Sequence, residues 1–378
     1  MLFRNATSAL LLLAVVCGCN EQRQEPVTTP WGTVLEDTAV AVPDDDNFDL
    51  ADIQHSGEMI MATVSGPLTC YDHHGRQLGL QYMLCQKLAN HLNVSLRVEL
   101  CRDSAEIAEK LESGDIDIAA WPTPGNLTVN TEKPELLKEL QTWYKPEMLS
   151  EVKKEEAFLL SSRSVKRRVF SPMLDRHGGI ISHYDQLFIT YARPIRWDWR
   201  LLAAQCYQES TFDPKATSWA GARGLMQIMP ATADHLGLPR SQMYEPEPNI
   251  SAATRYLGEL EQSFSDIKDR QERTNFVLAA YNGGAHHVRD AMALCQRDGH
   301  NNHHWREVEP YILRLAEPKY YSDPLVKHGY MRGSETVDYV AKIRQRHRSY
   351  MGVKTPHLGY QAGRHPRRAS ERKQKYDI

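Results

Sequence analysis

The hydrophobic pattern of this 378-residue chain changes period along its length. Residues 58–66 (EMIMATVSG) read as a strand stopped by a Gly-Pro turn. In LGLQYMLCQKLANHLNV, Leu80, Met83, Leu84, Leu88 and Leu92 recur at helical spacing. SLRVEL predicts a second strand, and SAEIAEKLESGDIDIAAWP predicts a helix, a glycine stop and a third strand. Strand, helix, strand, helix, strand implies a parallel sheet with right-handed crossovers. Two helical stretches follow, KPELLKELQTWYKPEML and SEVKKEEAFLLSSRS. From 182 to 350 the period is helical in every segment: YDQLFITYARPI, DWRLLAAQCYQES, TADHLGL, ISAATRYLGELEQSF, RTNFVLAAYNGG, EVEPYILRLA and SETVDYVAKIRQRHRSYM. The fold class expected is α+β multidomain, a small βαβ lobe followed by an all-α domain.

The ends differ from the middle. MLFRNATSALLLLAVVCGCN carries Arg4 and then an apolar run from Ala9 to Val16. That run is too short to span a bilayer and fits a signal-peptide core. Val16-Cys17-Gly18-Cys19 resembles a bacterial lipobox, which implies cleavage before Cys19 and lipidation of its thiol; a plain secretory signal is the alternative. Asn20 after that Cys implies, by the same resemblance, the outer membrane, with the chain on the periplasmic face of the envelope. An acidic, Pro/Thr-rich stretch (EPVTTP, VPDDDNFD) reads as a solvated tether. Beyond Gly352 the chain is basic and reads as a disordered tail. The expected organisation is a signal peptide at 1–18, a tether at 19–56, the βαβ lobe at 57–170, a helical domain at 182–352 and the tail at 353–378.

Composition adds little. A hydrophobic fraction of 41%, a charged fraction of 25% and a net charge of −3 are those of a globular protein, with no field that would draw nucleic acid. With Cys17 removed and Cys19 acylated, Cys70, Cys85, Cys101, Cys206 and Cys295 remain. Five is odd, so at least one is unpaired; a disulfide within the first three and buried single thiols are both open.

LESGDIDIAA, with the strand and helix before it, resembles the first lobe of periplasmic solute-binding proteins of the amino-acid type. Such proteins hold ligand between two lobes, and no second βαβ unit follows Trp121 here. The lobe is therefore expected to be truncated and to serve as a spacer or regulator rather than as a closing cleft.

The candidate chemistry centres on Glu209. On the helix 199–210, Leu202, Cys206 and Glu209 fall at i, i+4 and i+7, which places a carboxyl on an apolar face. Lost hydration penalises its charged form, so its pKa should rise, as a general acid near neutral pH requires. A Glu that snorkels to water or caps a neighbour is the competing reading.

Four signatures occur in order: Glu209-Ser210, Gly224-Leu-Met-Gln-Ile228, Ala280-Tyr-Asn282 and Glu335-Thr-x-x-Tyr-Val340. Together they resemble the soluble lytic transglycosylase domain, a goose-lysozyme-like fold. With the upstream lobe and the lipobox, the chain resembles the membrane-bound lytic murein transglycosylase F family. The resemblance implies cleavage of peptidoglycan glycan strands between N-acetylmuramic acid and N-acetylglucosamine, with 1,6-anhydro ends. It implies Glu209 as acid and then base. Ser218 would position the 2-acetamido group, and Gly224, Met226 and Gln227 would line the cleft. Tyr281 and Asn282 would face the sugar, and Tyr339 would orient Glu209. Glu335 is expected to be structural, and Asp213, beside Pro214, to be a cap. A lysozyme-type hydrolase and a non-catalytic wall-binding or solute-sensing lipoprotein are the alternatives.

No cofactor is called for. Cys295, His300, His303 and His304 (CQRDGHNNHHW) match no standard metal-ligand spacing and read as a solvated loop, so no metal is expected there. Cys206 has no motif His beside it and reads as core rather than nucleophile. The expected partners are peptidoglycan and, through the lipid anchor, a membrane.

Overall fold

The computed structural model describes residues 48–353. The signal peptide, Cys17, Cys19, most of the tether and the basic tail lie outside the described residues. Along the first half run α1 (Leu50–Ser56), β1 (Glu58–Val64), β2 (Tyr71–His73), β3 (Arg76–Leu78) and α2 (Leu80–Leu92). After them come β4 (Ser95–Cys101), α3 (Ser104–Glu112), β5 (Ile118–Ala120), β6 (Leu127–Val129), α4 (Pro134–Trp143) and α5 (Glu147–Leu159). Residues 50–56, assigned to the tether from sequence, are helical instead. Asp49 and Asp52 form a capping box there, and the Asp49 carboxylate also accepts the N–H groups of Glu135 and Leu136 at the start of α4.

The sheet order is β4-β1-β5-β6. β1 pairs in parallel with both neighbours, Met61 lying opposite Val98 on one side and Ile118 on the other. These are the three strands expected from the hydrophobic pattern. β6 is an addition, antiparallel to β5. Its turn is held by the buried Gln81 amide, which donates to the carbonyls of Trp121 and Thr123 at 2.8 Å and accepts from Gly125 N–H. Met59, Met61, Leu88, Ile118 and Leu136 share one core cluster; Ala62, Ile107, Ile116 and Ala119 share another.

Helices make up the second half: α6 (Asp185–Ala192), α7 (Trp199–Ser210), α8 (Pro230–His235), α9 (Pro246–Ser263), α10 (Arg270–Gly283), α11 (Ala285–Arg297), α12 (Trp305–Arg314), α13 (Pro318–Tyr321) and α14 (Gly333–Tyr350). One apolar cluster joins them, and α7 lies against α6 and α14. Two features differ from the sequence pattern. Residues 285–297 form α11, so Cys295 belongs to a helix and not to the loop after it. Residues 211–229 are an irregular loop, tied by isolated bridges between Thr217 and Arg223 and between Arg223 and Ile228.

The halves share a cluster in which Tyr71, Leu78, Leu80, Leu84 and Val152 meet Trp219 and Tyr330. The segment between them also binds the helical part. Lys166 and Thr217 exchange backbone hydrogen bonds of 2.8 and 2.9 Å, and Thr211 donates through its hydroxyl to Arg168 O at 2.8 Å. Among the described residues the cysteines Cys70, Cys85, Cys101, Cys206 and Cys295 are all buried free thiols. No described helix is long and apolar enough to cross a membrane.

Candidate active site

The site is built where α7, α10 and α14 meet the 211–229 loop. Asp198 caps α7 by accepting from Arg200 N–H, and the helix ends in the left-handed Thr211, leaving Glu209 in its last turn. The Glu209 side chain is half-buried, with protein packed around its carboxyl. Burial pushes that carboxyl up to about 7, against the opposing pull of a hydrogen bond from Tyr339 and the charges of His74 and Arg167. This is the direction that its place on the apolar face of α7 implied.

The Tyr339 hydroxyl donates to Glu209 Oε1 and in turn accepts from Gln205 Nε2 at 3.2 Å. Gln205 and Glu209 are one turn apart on α7, so one helix face carries both ends of this relay. Glu335 and Tyr339 are likewise one turn apart on α14. Glu335 therefore faces the same place, near enough for its charge to act on Glu209. Its carboxylate is held down at about 2: burial opposes ionisation, but the hydrogen bond and charge of His74 outweigh it.

The Gly224–Ile228 segment is held by a residue that the sequence pattern did not single out. Asn249, fully buried in the first turn of α9, accepts from Met226 N–H at 2.8 Å and donates to Met243 O at 2.7 Å and Arg223 O at 3.1 Å. Gly224 is required here. Its φ is +80°, and a Cβ would stand 2.2 Å from Met243 O and 2.5 Å from the Asn249 amide. Met226 puts its side chain in the core and presents its carbonyl, which accepts from the Tyr281 hydroxyl at 2.8 Å. Gln227, at φ +46°, turns its amide back onto Ala216 O and Gly224 O. Asn282 Oδ1 accepts from Thr336 at 2.7 Å, linking α10 to α14. Ser218 closes a turn by accepting from Ala222 N–H at 3.0 Å. Asp213 caps the loop, accepting from Lys215 N–H and from Arg168 N–H.

Sequence reasoning also missed two contributors from outside the helical half. Arg167 donates to the Glu209 carbonyl at 2.9 Å, pinning the end of α7. The second is the β2–β3 hairpin. Its two-residue turn, His74-Gly75, has φ of +52° and +70°, the geometry of a type I′ turn. His74 donates through Nε2 to Glu335 Oε1 at 3.0 Å, His73 stacks parallel to Trp219, and Arg76 donates to Ala220 O at 3.2 Å. The hairpin tip thus sits between the 218–221 turn and the start of α14, beside Glu209. A short HHG between Tyr71 and Leu78 is a weaker turn signal than Asn-Gly, and the hydrophobic pattern does not mark the hairpin.

Cys295, His300, His303 and His304 do not converge. Cys295 Sγ donates to Glu307 O, His300 lies 3.7 Å from Glu307, His303 3.4 Å from Asp266 and His304 3.9 Å from Glu272.

Residues 186–303 match the transglycosylase SLT domain family. Over 175 residues the chain is 38% identical to the membrane-bound lytic murein transglycosylase F of Pseudomonas putida, covering 46% of this chain and 35% of that protein. It is 39% identical to the protein of the same name from Maricaulis maris over 165 residues, 44% of this chain and 35% of the relative. The chain thus spans about a third of the length of these curated relatives. The crystal structure of the 70 kDa soluble lytic transglycosylase Slt70 from Escherichia coli aligns at 30% identity over 46% of this chain and 25% of that one. Its TM-score of 0.31 is too low to bear on the fold.

Proposed function

We propose, from the premise that residues 186–303 belong to the transglycosylase SLT domain family, that this chain is a peptidoglycan lytic transglycosylase. It would cut the β-1,4 bond between N-acetylmuramic acid and N-acetylglucosamine. The observation that carries the reading is the Glu209 carboxyl, half-buried, raised to about 7 and contacted by the Tyr339 hydroxyl. Such a group keeps its proton in about half of the molecules at pH 7 and in more below it, and can give that proton to the leaving glycosidic oxygen.

The C1–O bond breaks as Glu209 transfers its proton to the O4 of N-acetylglucosamine, and the 2-acetamido group stabilises the anomeric cation. The ionised Glu209 then takes the proton of the muramic C6 hydroxyl, whose oxygen bonds to C1. The product is a 1,6-anhydro ring, no water is consumed and the acid is restored. In this scheme Ser218 positions the acetamido group, and the Gly224–Met226 backbone with Gln227 borders the sugar. Tyr281 and Asn282 face it, and Tyr339 orients the acid. Cys19 would carry the lipid that holds the chain at the periplasmic face of the outer membrane.

A hydrolase using the same acid is the second reading, because Glu335 also acts on Glu209. Glycosidases of that kind need a second carboxylate as nucleophile or as base for water. Against it, Glu335 Oε1 is bonded to His74 and Oε2 lies 3.7 Å from His73. Mass spectrometry of digested sacculi separates the two readings. Anhydro-muramyl ends are expected; reducing muramyl ends would replace this proposal with the hydrolase, and an uncut sacculus would remove both.

A further inference from the structure

The geometry points to a divalent transition-metal site, best suited to Zn²⁺, formed by His73, His74 and Glu335. His74 Nε2 lies 3.0 Å from Glu335 Oε1, and His73 Nε2 lies 3.7 Å from Glu335 Oε2. One ligand atom from each of the three residues falls within 4.8 Å of the other two. Tetrahedral zinc, with bonds of about 2.0–2.2 Å, needs ligand atoms roughly 3.3–3.5 Å apart. The two distances to the Glu335 carboxylate bracket that spacing, and the His73 and His74 ligand nitrogens lie within 4.8 Å of each other. Two imidazoles and one carboxylate are also the donor set that suits zinc and leaves a fourth position for water.

The backbone prepares the arrangement. Consecutive residues of a strand point to opposite faces, so adjacent histidines ordinarily diverge. Here His73 ends β2 and His74 takes the left-handed turn conformation. Their ring centroids stand 4.3 Å apart, with planes at 65°. The surroundings limit ring movement. His73 is only 10% exposed and lies parallel to Trp219, while Arg76 on the paired strand binds Ala220 O. Glu335 stands in the first turn of α14, fixed by the fold of the helical half.

The ligands come from both halves of the molecule, so a bound ion would pin the hairpin tip to α14 beside Glu209. Binding would then restrict access to that carboxyl. This consequence rests on the proposed acid role of Glu209; the metal site itself does not.

The test is calorimetric titration of the full chain, first stripped with a chelator, with Zn²⁺ alone. The outcome expected is one site of micromolar or tighter affinity, weakened at least about tenfold in His73→Ala and again in His74→Ala. Hydrogen exchange across residues 71–78 should slow on adding Zn²⁺ in the wild type and not in either variant. No uptake, or uptake unchanged in both variants, would overturn the site. So would binding lost instead in a His300→Ala/His303→Ala/His304→Ala variant, which would place the ion on the exposed loop after α11. If Zn²⁺ binds as expected but the chain cuts no sacculi with or without it, the proposed activity fails and the metal site stands.

Discussion

Tyr339 and Glu209 meet through a single hydrogen bond, the phenol donating to the carboxylate, and that bond is the strongest pull holding the Glu209 pKa down against burial. Removing it in Tyr339→Phe leaves burial less opposed, so the Glu209 pKa rises further. Glu209 acts as an acid only while protonated, so kcat/KM of the wild type should fall as pH climbs through about 7. In Tyr339→Phe that falling limb should move to higher pH. The rate on the plateau should drop about tenfold, the equivalent of one lost hydrogen bond of about 1.4 kcal/mol. A limb that stays in place or moves down would separate Tyr339 from control of the acid.

Glu209→Gln keeps the shape and removes the transferable proton. Sacculus cleavage should fall at least about a hundredfold, the lower range for loss of a general acid. The same variant has a stability signature. A carboxyl at about 7 in the folded chain and about 4.3 unfolded leaves the folded state holding more protons between those values. Stability from this group is therefore lost as pH rises across that window, by up to about 4 kcal/mol. Denaturant melts at pH 8 should show Glu209→Gln more stable than wild type, with the gap closing near pH 4.

Asn249→Ala tests the knot under the 224–228 segment. It leaves Met226 N–H, Met243 O and Arg223 O without their partner. Buried groups so orphaned cost about 1–3 kcal/mol each when no water replaces the amide, so a loss of about 3 kcal/mol or more is expected. Gly224→Ala should cost at least 2 kcal/mol (about that from the positive φ and the contact with Met243 O together). Thermal melts check both; a neutral Asn249→Ala would remove that residue from the account of the loop.

Fragment boundaries follow from the 165–173 segment. A fragment of 182–352 holds every motif residue but loses the Lys166–Thr217 pairing, the Arg167 bond to Glu209 O and the Arg168 contacts with Asp213 and Thr211. A fragment of 161–353 keeps them. The longer one is expected to melt higher and to cleave sacculi faster, because Arg167 fixes the end of α7. Equal melting temperatures and equal rates would show that the segment is dispensable.

Much of the architecture is written in local pattern. Leu80, Leu84 and Leu88 recur at helical spacing, Met59 and Met61 alternate along β1, and both periods record which side of an element is buried. The place of Glu209 on the apolar face of α7, and the one-turn spacings that align Gln205 with Glu209 and Glu335 with Tyr339, were legible for the same reason. What covers each face was not. The Asn249 knot, the Arg167 bond and the seat of His73 and His74 join residues far apart in the chain, His74 and Glu335 being 261 positions apart. Periodicity carries no record of such pairs, because they form only when one element is packed on another. The HHG turn shows the limit most clearly. Its left-handed residues are a local property, but that the turn stands beside Glu209 was decided by the packing of Tyr71 and Leu78 against Trp219 and Tyr330.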